Sequence, residues 1–244
     1  MKVLLVGNGG REHALGWKLA QSGRVDELFS LPGNPGLAEL GPVVEGISVM
    51  DVGAIAAMAR VQGVDMVVVG PEAPLAAGVV DTVGALGIPV FGPTRAAARL
   101  ESSKAFAKQV MARAGVATAA SETFTDPEGL KAHLGRSDGP YVVKADGLAA
   151  GKGVLVSDDR EEALAWGERW LPEGPIVIEE FLDGPEVSIF AVCTEKGAVA
   201  LEPARDYKRL WDGDEGPNTG GMGSYSPVAD LPTGLVGETM STVI

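Results

Sequence analysis

Cysteine is almost missing from this 244-residue chain. Cys193 stands alone, so no internal disulfide is available, and its place in an apolar, strand-like run predicts a buried core thiol. Basic residues are also scarce. Twenty Lys and Arg against 33 Asp and Glu leave a formal charge of −13 at pH 7. That balance disfavours nonspecific nucleic-acid binding, because a phosphate backbone needs a basic surface. Small anionic substrates stay open, since they need only local groups of Lys, Arg and backbone N–H. Long apolar runs are absent as well: none would span a bilayer, and Met1-Lys2 leads straight into a strand, with no room for a signal peptide. The expectation is a cytoplasmic protein with neither a membrane nor a nucleic-acid partner. No internal repeat and no low-complexity tail is visible.

Apolar residues make up 45% of the chain and glycines number 34, which suits a loop-rich α/β enzyme rather than a disordered chain. Over residues 1–100, strands are expected at 2–6, 27–31, 66–69 and 88–91, with helices at 11–21 and 75–86. Strands alternating with helices, one a nearly continuous β-branched run, indicate a parallel sheet wound on both faces. Residues 101–114 read as a helix stopped by Gly115. From residue 141 the pattern changes. Strands at 141–145 and 154–157 flank a glycine-rich turn, and a helix follows at 159–170. Strands at 176–181, 187–194 and 198–204 then suggest an α+β unit with a largely antiparallel sheet. Beyond Tyr207 lies a long Gly, Asp, Asn and Pro stretch, expected as an ordered site loop because apolar segments bracket it.

Three glycine-rich segments carry the candidate chemistry. The first, Gly7-Asn8-Gly9-Gly10-Arg11-Glu12-His13, follows a strand and opens a helix, so its N–H groups and the helix dipole can hold an anion. It is not a dinucleotide fingerprint: Glu12 occupies the third glycine position, and the second strand ends at Pro32-Gly33-Asn34 rather than at an acid. A turn needed only for packing is the plain alternative, with His13 a structural helix residue. The second segment runs from Lys144 through Gly147, Gly151, Lys152 and Gly153. It fails the Walker A spacing, having three residues between Gly147 and Gly151 and a strand after it. A hairpin tip of small residues can nevertheless fold over a triphosphate, with Lys144 and Lys152 supplying charge. The third begins at Asp206-Tyr207-Lys208-Arg209 and continues through Asn218, Thr219, Gly220, Gly221 and Met222. Its lysine and arginine are candidates for phosphate, and its Asn and Thr offer donors and acceptors. Between the last two lies Glu179-Glu180-Phe181-Leu182, whose main chain can read adenine, followed by Glu186, a carboxylate for ribose hydroxyls. Taken alone, these carboxylates read as exposed strand-end charges.

In order along the chain, GNGGREHAL from Gly7, VGPEAPLAAGVVD from Val69, ESSKAFAK from Glu101, VKADGLAAGKGV from Val143, VIEEFLDGPEVS from Val177 and GPNTGGMGSYSP from Gly216 resemble the phosphoribosylamine–glycine ligase family. The resemblance implies an ATP-grasp fold with a Rossmann-like domain (1–100), a helical linker (101–120), a lid with the glycine-rich hairpin (121–175) and an incomplete ATP-binding domain (176–244). The implied reaction joins glycine to 5-phosphoribosylamine in purine synthesis. It consumes ATP with magnesium or manganese and passes through glycyl phosphate, in a monomeric enzyme. By resemblance, Lys104 and Lys144 contact ATP phosphates, Gly147, Gly151, Lys152 and Gly153 cover them, Glu179, Glu180, Phe181 and Leu182 line the adenine, and Glu186 holds ribose. Lys208, Arg209 and Asn218 are the catalytic candidates. Gly9, Gly10, Arg11, Glu12, Glu72, Thr219, Gly220, Gly221 and Met222 are the substrate candidates. Family members continue past residue 244, and their metal ligands and an arginine near the acyl phosphate lie in that continuation. The implied state is therefore a truncated chain that binds nucleotide weakly and turns over little. Competing readings are another ATP-grasp carboxylate–amine ligase, a nucleotide-binding module without chemistry, and an NAD-dependent oxidoreductase, which the failed fingerprint weakens.

Overall fold

The structure is a computed structural model and describes residues 1–149, 152–213 and 215–244; the side chains of residues 217 and 218 lie outside that description. The chain divides into two compact units, residues 1–107 and 108–244.

In the first unit, β1 (Lys2–Gly7) buries every residue from Val3 to Gly7 because both of its faces are covered. Leu4 and Val6 belong to one apolar cluster, Val3 and Leu5 to another, as a period of two requires. The helix α1 (Gly10–Ala20) follows, then β2 (Glu27–Pro32), α2 (Pro35–Ala38), α3 (Val52–Val61) and β3 (Met66–Val69). Next come α4 (Glu72–Ala77), α5 (Val79–Gly84), β4 (Val90–Phe91) and α6 (Arg95–Ser102). The four strands form a parallel sheet in the order β2-β1-β3-β4, as expected for a doubly wound unit. The helix expected at 75–86 is in fact two, because Gly78 adopts φ +94° and ends α4. The helix expected at 101–114 is likewise divided: α6 ends at Ser102, and α7 (Lys104–Ala114) begins after Ser103, whose Oγ accepts from Phe106 N at 3.1 Å. A polar side chain that satisfies a helix's first N–H groups starts a new helix there.

The second unit contains β5 (Ser121–Phe124), α8 (Pro127–Leu134), β6 (Tyr141–Ala145), β7 (Val154–Ser157), α9 (Arg160–Trp170) and β8 (Ile176–Glu179). The strands form an antiparallel sheet in the order β5-β8-β6-β7. Strand β8 therefore pairs on both edges with strands from 121–145, across the division expected after residue 175. One face packs Phe124, Tyr141, Val143, Ile176 and Ile178 onto Leu130, Leu134 and Ala163 of the two helices. The register puts Val142, Lys144, Val177 and Glu179 on the opposite face.

Two ribbons follow, β9 (Ala191–Thr194) with β10 (Gly197–Ala200), and β11 (Arg205–Trp211) with β12 (Glu215–Tyr225); α10 (Leu235–Thr242) comes last. The stretch beyond Tyr207, read as a loop, is thus a long antiparallel hairpin. Its backbone pairing satisfies polar groups that a glycine-rich composition does not advertise. Cys193 is exposed, not buried, because it sits in a two-stranded ribbon that cannot cover both of its own faces. Among the described residues no helix is long and apolar enough to cross a membrane.

Candidate nucleotide site and N-terminal crevice

In the first unit the strand order reverses between β1 and β3, and ligands of such sheets bind outside the carboxyl ends at that point. The two strand ends there are Gly7 and Gly70, and Glu12 fills the space between them. A Cβ at Gly70 would stand 2.2 Å from Glu12 Oε1, and one at Gly7 would stand 2.4 Å from its Cγ. Glu12 is 3% exposed, and its Oε2 accepts from Gly9 N at 2.7 Å. The glycine loop expected to hold an external anion is therefore capped by the protein's own carboxylate, a hydrogen-bonded group at a helix start. Arg11 Nε donates to Glu12 Oε1 at 2.9 Å and its Nη1 donates to Glu72 Oε1 at 2.7 Å. Hydrogen bonding to Glu72 raises the Arg11 pKa, and the same bond holds the Glu72 carboxyl below its ordinary value. Gly9, Gly10, Arg11, Glu12 and Glu72, expected from two separate segments, thus meet at one crevice. Asn34 was not anticipated: its Nδ2 donates to Asn8 O and Gly9 O at 3.1 and 3.2 Å while its Oδ1 caps α2. An Asn directly before a proline is the available signal for such a cap.

In the second unit Lys144 and Glu179 lie diagonally on the face of the sheet turned away from α8 and α9. Lys144 pairs in register with Val177, two residues before Glu179, a separation that long side chains cross. Lys144 Nζ donates to Glu179 Oε2 at 2.7 Å. Lys108 Nζ stands 3.4 Å from the other oxygen, Oε1, and donates to Thr118 Oγ1 and Ala119 O, each at 2.8 Å. Sequence reading chose Lys104, which opens α7, and passed over Lys108 one turn later. The spacing of four was the signal that both could share a helix face. Glu180 is held at the end of β8, its N–H bonded to Ala120 O at 2.8 Å and its Oε2 accepting from Ala120 N at 3.0 Å. Glu179, Glu180 and Phe181 line a cleft of about 530 Å³ together with residues of β5 and the segment before β6. That volume suits a small ligand. Leu182, 64% exposed, is outside its lining. The glycine-rich turn is a hairpin tip as expected: Ala145 N donates to Gly153 O and Lys152 N to Ala149 O, both at 2.9 Å. Gly147 takes φ +103° there. Gly151 lies outside the described residues.

The third segment is ordered by pairing. Arg209 is opposite Asn218 in the ladder, Arg209 Nη1 donates to Gly216 O at 2.5 Å, and Thr219 Oγ1 donates to Lys208 O at 2.9 Å. The side chain of Asn218 lies outside the described residues. Gly221 N donates to Thr219 Oγ1 at 3.0 Å, and Gly220 and Met222 are exposed beside them. Lys208 bonds Glu186 and stands 3.1 Å from Asp206 Oδ2. Burial pulls its pKa down, but the hydrogen bonds and charges of those two carboxylates outweigh it and raise the value overall. Glu186 and Lys208, expected in separate roles, therefore form one ion pair lining a cleft of about 340 Å³.

The family model described as the phosphoribosylglycinamide synthetase N domain matches residues 1–101, and that of the ATP-grasp (A) domain of the same synthetase matches residues 102–244. The phosphoribosylamine–glycine ligase of Streptomyces coelicolor is 53% identical over 244 residues, covering 100% of this chain and 58% of its own length. That of Rhizobium meliloti is 48% identical over 250 residues, covering 100% and 59%. The crystal structure of the Thermotoga maritima phosphoribosylamine–glycine ligase superposes with a TM-score of 0.78 at 38% identity, over 95% of this chain and 56% of that one. A biotin carboxylase domain from Hydrogenobacter thermophilus, solved with ADP and magnesium, gives a TM-score of 0.78 at 17% identity, over 99% and 56%, which is a likeness of fold. The chain spans a little under three-fifths of the length of the curated relatives it matches. With both domain models met in order from residue 1 to residue 244, the chain belongs to the phosphoribosylglycinamide synthetase family of ATP-grasp proteins.

Proposed function

We propose that this chain is part of a cytoplasmic, monomeric ligase that joins glycine to 5-phosphoribosylamine in purine biosynthesis, releasing glycinamide ribonucleotide, ADP and phosphate. The observation that carries the reading is similarity, at about half identity along the whole chain, to relatives bearing the name of that activity. The geometry adds a basic side chain suited to phosphate. Among the described residues Lys144 Nζ has one protein acceptor, Glu179 Oε2, so two of its three donors remain for a ligand. Val142 and Val177 share its face and are buried, so Lys144 rises from an apolar, well-packed base.

ATP, when bound, supplies the phosphoryl group that activates glycine's carboxylate. Lys104 and Lys144 would take its phosphates, and the tip carrying Gly147, Gly151, Lys152 and Gly153 would close over them. The stretch from Glu179 to Leu182 would meet adenine, and Glu186 ribose. The segment 121–175, with β8 completing its sheet, would serve as the lid. The Arg11–Glu12–Glu72 crevice and the stretch from Thr219 to Met222 would hold glycine and the amine. Lys208, Arg209 and Asn218 would meet the charge that develops during transfer. No side-chain nucleophile is required, so the residues' work is positioning, charge neutralisation and exclusion of water. Magnesium or manganese would accompany the nucleotide; among the described residues no group of three or more His, Cys, Asp or Glu could hold it.

The test is ADP release from ATP with magnesium, glycine and freshly made phosphoribosylamine, omitting glycine or the amine in turn. It is run on this chain and on one extended to the relatives' length. Release that needs both substrates in the extended chain is expected. Release supported by a different amine, with phosphoribosylamine inert, would overturn the acceptor assignment.

A further inference from the structure

Glu179 is shared by two lysines with different surroundings. Its side chain is 9% exposed, and each carboxylate oxygen faces one ammonium, Oε1 that of Lys108 and Oε2 that of Lys144. Lys108, 14% exposed, is committed to the protein: two hydrogen bonds hold it to the 118–119 backbone and hydroxyl, and Glu179 takes its third direction. Lys144, 26% exposed, has Glu179 alone among its described acceptors. The charges matter together. A Lys144–Glu179 pair by itself is neutral and offers an anion little attraction at a distance. With Lys108 against the other oxygen, the cluster carries one net positive charge, and its outward donors belong to Lys144.

We infer that Lys108 is a positioning residue of the nucleotide site, compensating Glu179 so that this carboxylate orients Lys144 without cancelling its attraction for phosphate. The inference rests on the reading of Lys144 as a phosphate ligand. It concerns a residue that touches no substrate: Lys108 acts through Glu179, while its bonds to Thr118 and Ala119 fix the strand entry that Glu180 holds from the other side.

The experiment measures equilibrium binding of ATP, ADP and adenosine to the full chain by calorimetry. The variants are Lys108→Gln, which keeps donors toward Thr118 and Ala119 but loses the charge, Lys108→Arg, which keeps the charge, and Lys144→Met. Thermal unfolding of each checks the fold. Lys108→Gln should weaken ATP and ADP on the order of tenfold while adenosine affinity holds, Lys108→Arg should restore most of the loss, and Lys144→Met should weaken ATP at least as much. If Lys144→Met weakens ATP and a folded Lys108→Gln does not, the inference fails and the reading of Lys144 stands. Equal weakening of ATP and adenosine by Lys108→Gln would assign Lys108 a purely structural part and overturn the inference. An unchanged ATP affinity in Lys144→Met, or no binding by the unsubstituted chain, overturns the phosphate reading and this inference with it. Should Lys108→Gln not fold, the same comparison is made with Lys108→Met, which keeps the unbranched stem and loses the charge: a loss confined to ATP and ADP supports the inference, and an equal loss for adenosine, or no loss, overturns it.

Discussion

Glu12 and Glu72 are both carboxylates bonded to Arg11, yet they stand in different solvents. Glu12 is buried against glycine backbone, whereas the Glu72 and Arg11 side chains are 43% and 53% exposed. The Glu72 pKa is lowered in the fold, so its ion pair adds stability above the ordinary value of 4.5 and loses it as pH falls through the folded value. Glu72→Gln should therefore flatten the acid side of the stability profile. The effect should stay below about 1 kcal/mol because water screens a half-exposed pair. Urea unfolding at pH 7 and near pH 3.5 reads this directly. A variant whose loss of stability on acidification matches that of the unsubstituted chain would show that Arg11 is held by Glu12 alone. The motif that singled out Arg11 and Glu12 was visible in the sequence, but that Glu12 turns inward and occupies the anion position was not. Burial of one carboxylate depends on the missing side chains at Gly7 and Gly70, 63 residues apart in number and adjacent only in the folded sheet.

Helix α9 illustrates what local chemistry controls at the scale of an element. Asp159 accepts from Glu161 N at 2.8 Å and Glu162 N at 3.3 Å, so the helix begins one residue after the cap. Asp159→Ala should cost about 1 kcal/mol, with Asp159→Asn recovering most of it, read as a shift in the urea midpoint at constant slope. No shift for Asp159→Ala would mean that packing of α9 on β6 alone sets the helix start. Strands β3, β6 and β7, which open on MVVV, YVV and VLV, were readable to the residue, because such β-branched and aromatic runs suit extended backbone in a sheet. Strand β12 was not readable. Its Gly-Pro-Asn-Thr-Gly-Gly sequence has low strand propensity, and it pairs only because β11 lies opposite. Ser103 and Gly78 divided helices that periodicity alone would have continued, one by capping and one by a left-handed backbone.

For the whole molecule, charge and exposed apolar surface pull in opposite directions. Phe190, Val199, Leu201, Trp211 and Met222 are between 46% and 68% exposed, while a formal charge of −13 keeps copies apart at pH 7. Association, followed by light scattering, should rise steeply as pH approaches 4.6, where the net charge vanishes. Scattering that stays flat through that pH would mean these side chains are not presented to neighbours. Composition, the parallel order of the first sheet, the hairpin of small residues and the family itself were all determined by the sequence. Each depends on residue type and spacing along one stretch of chain. Only the tertiary structure decided that Lys108 and Lys144 share Glu179, that Glu186 neutralises Lys208, that Cys193 is exposed, and that β8 completes the sheet of 121–157. Those outcomes turn on which distant groups meet: the lysines reach their glutamates through side-chain contacts, and β8 joins its neighbours through backbone ladders, with partners that no local pattern names.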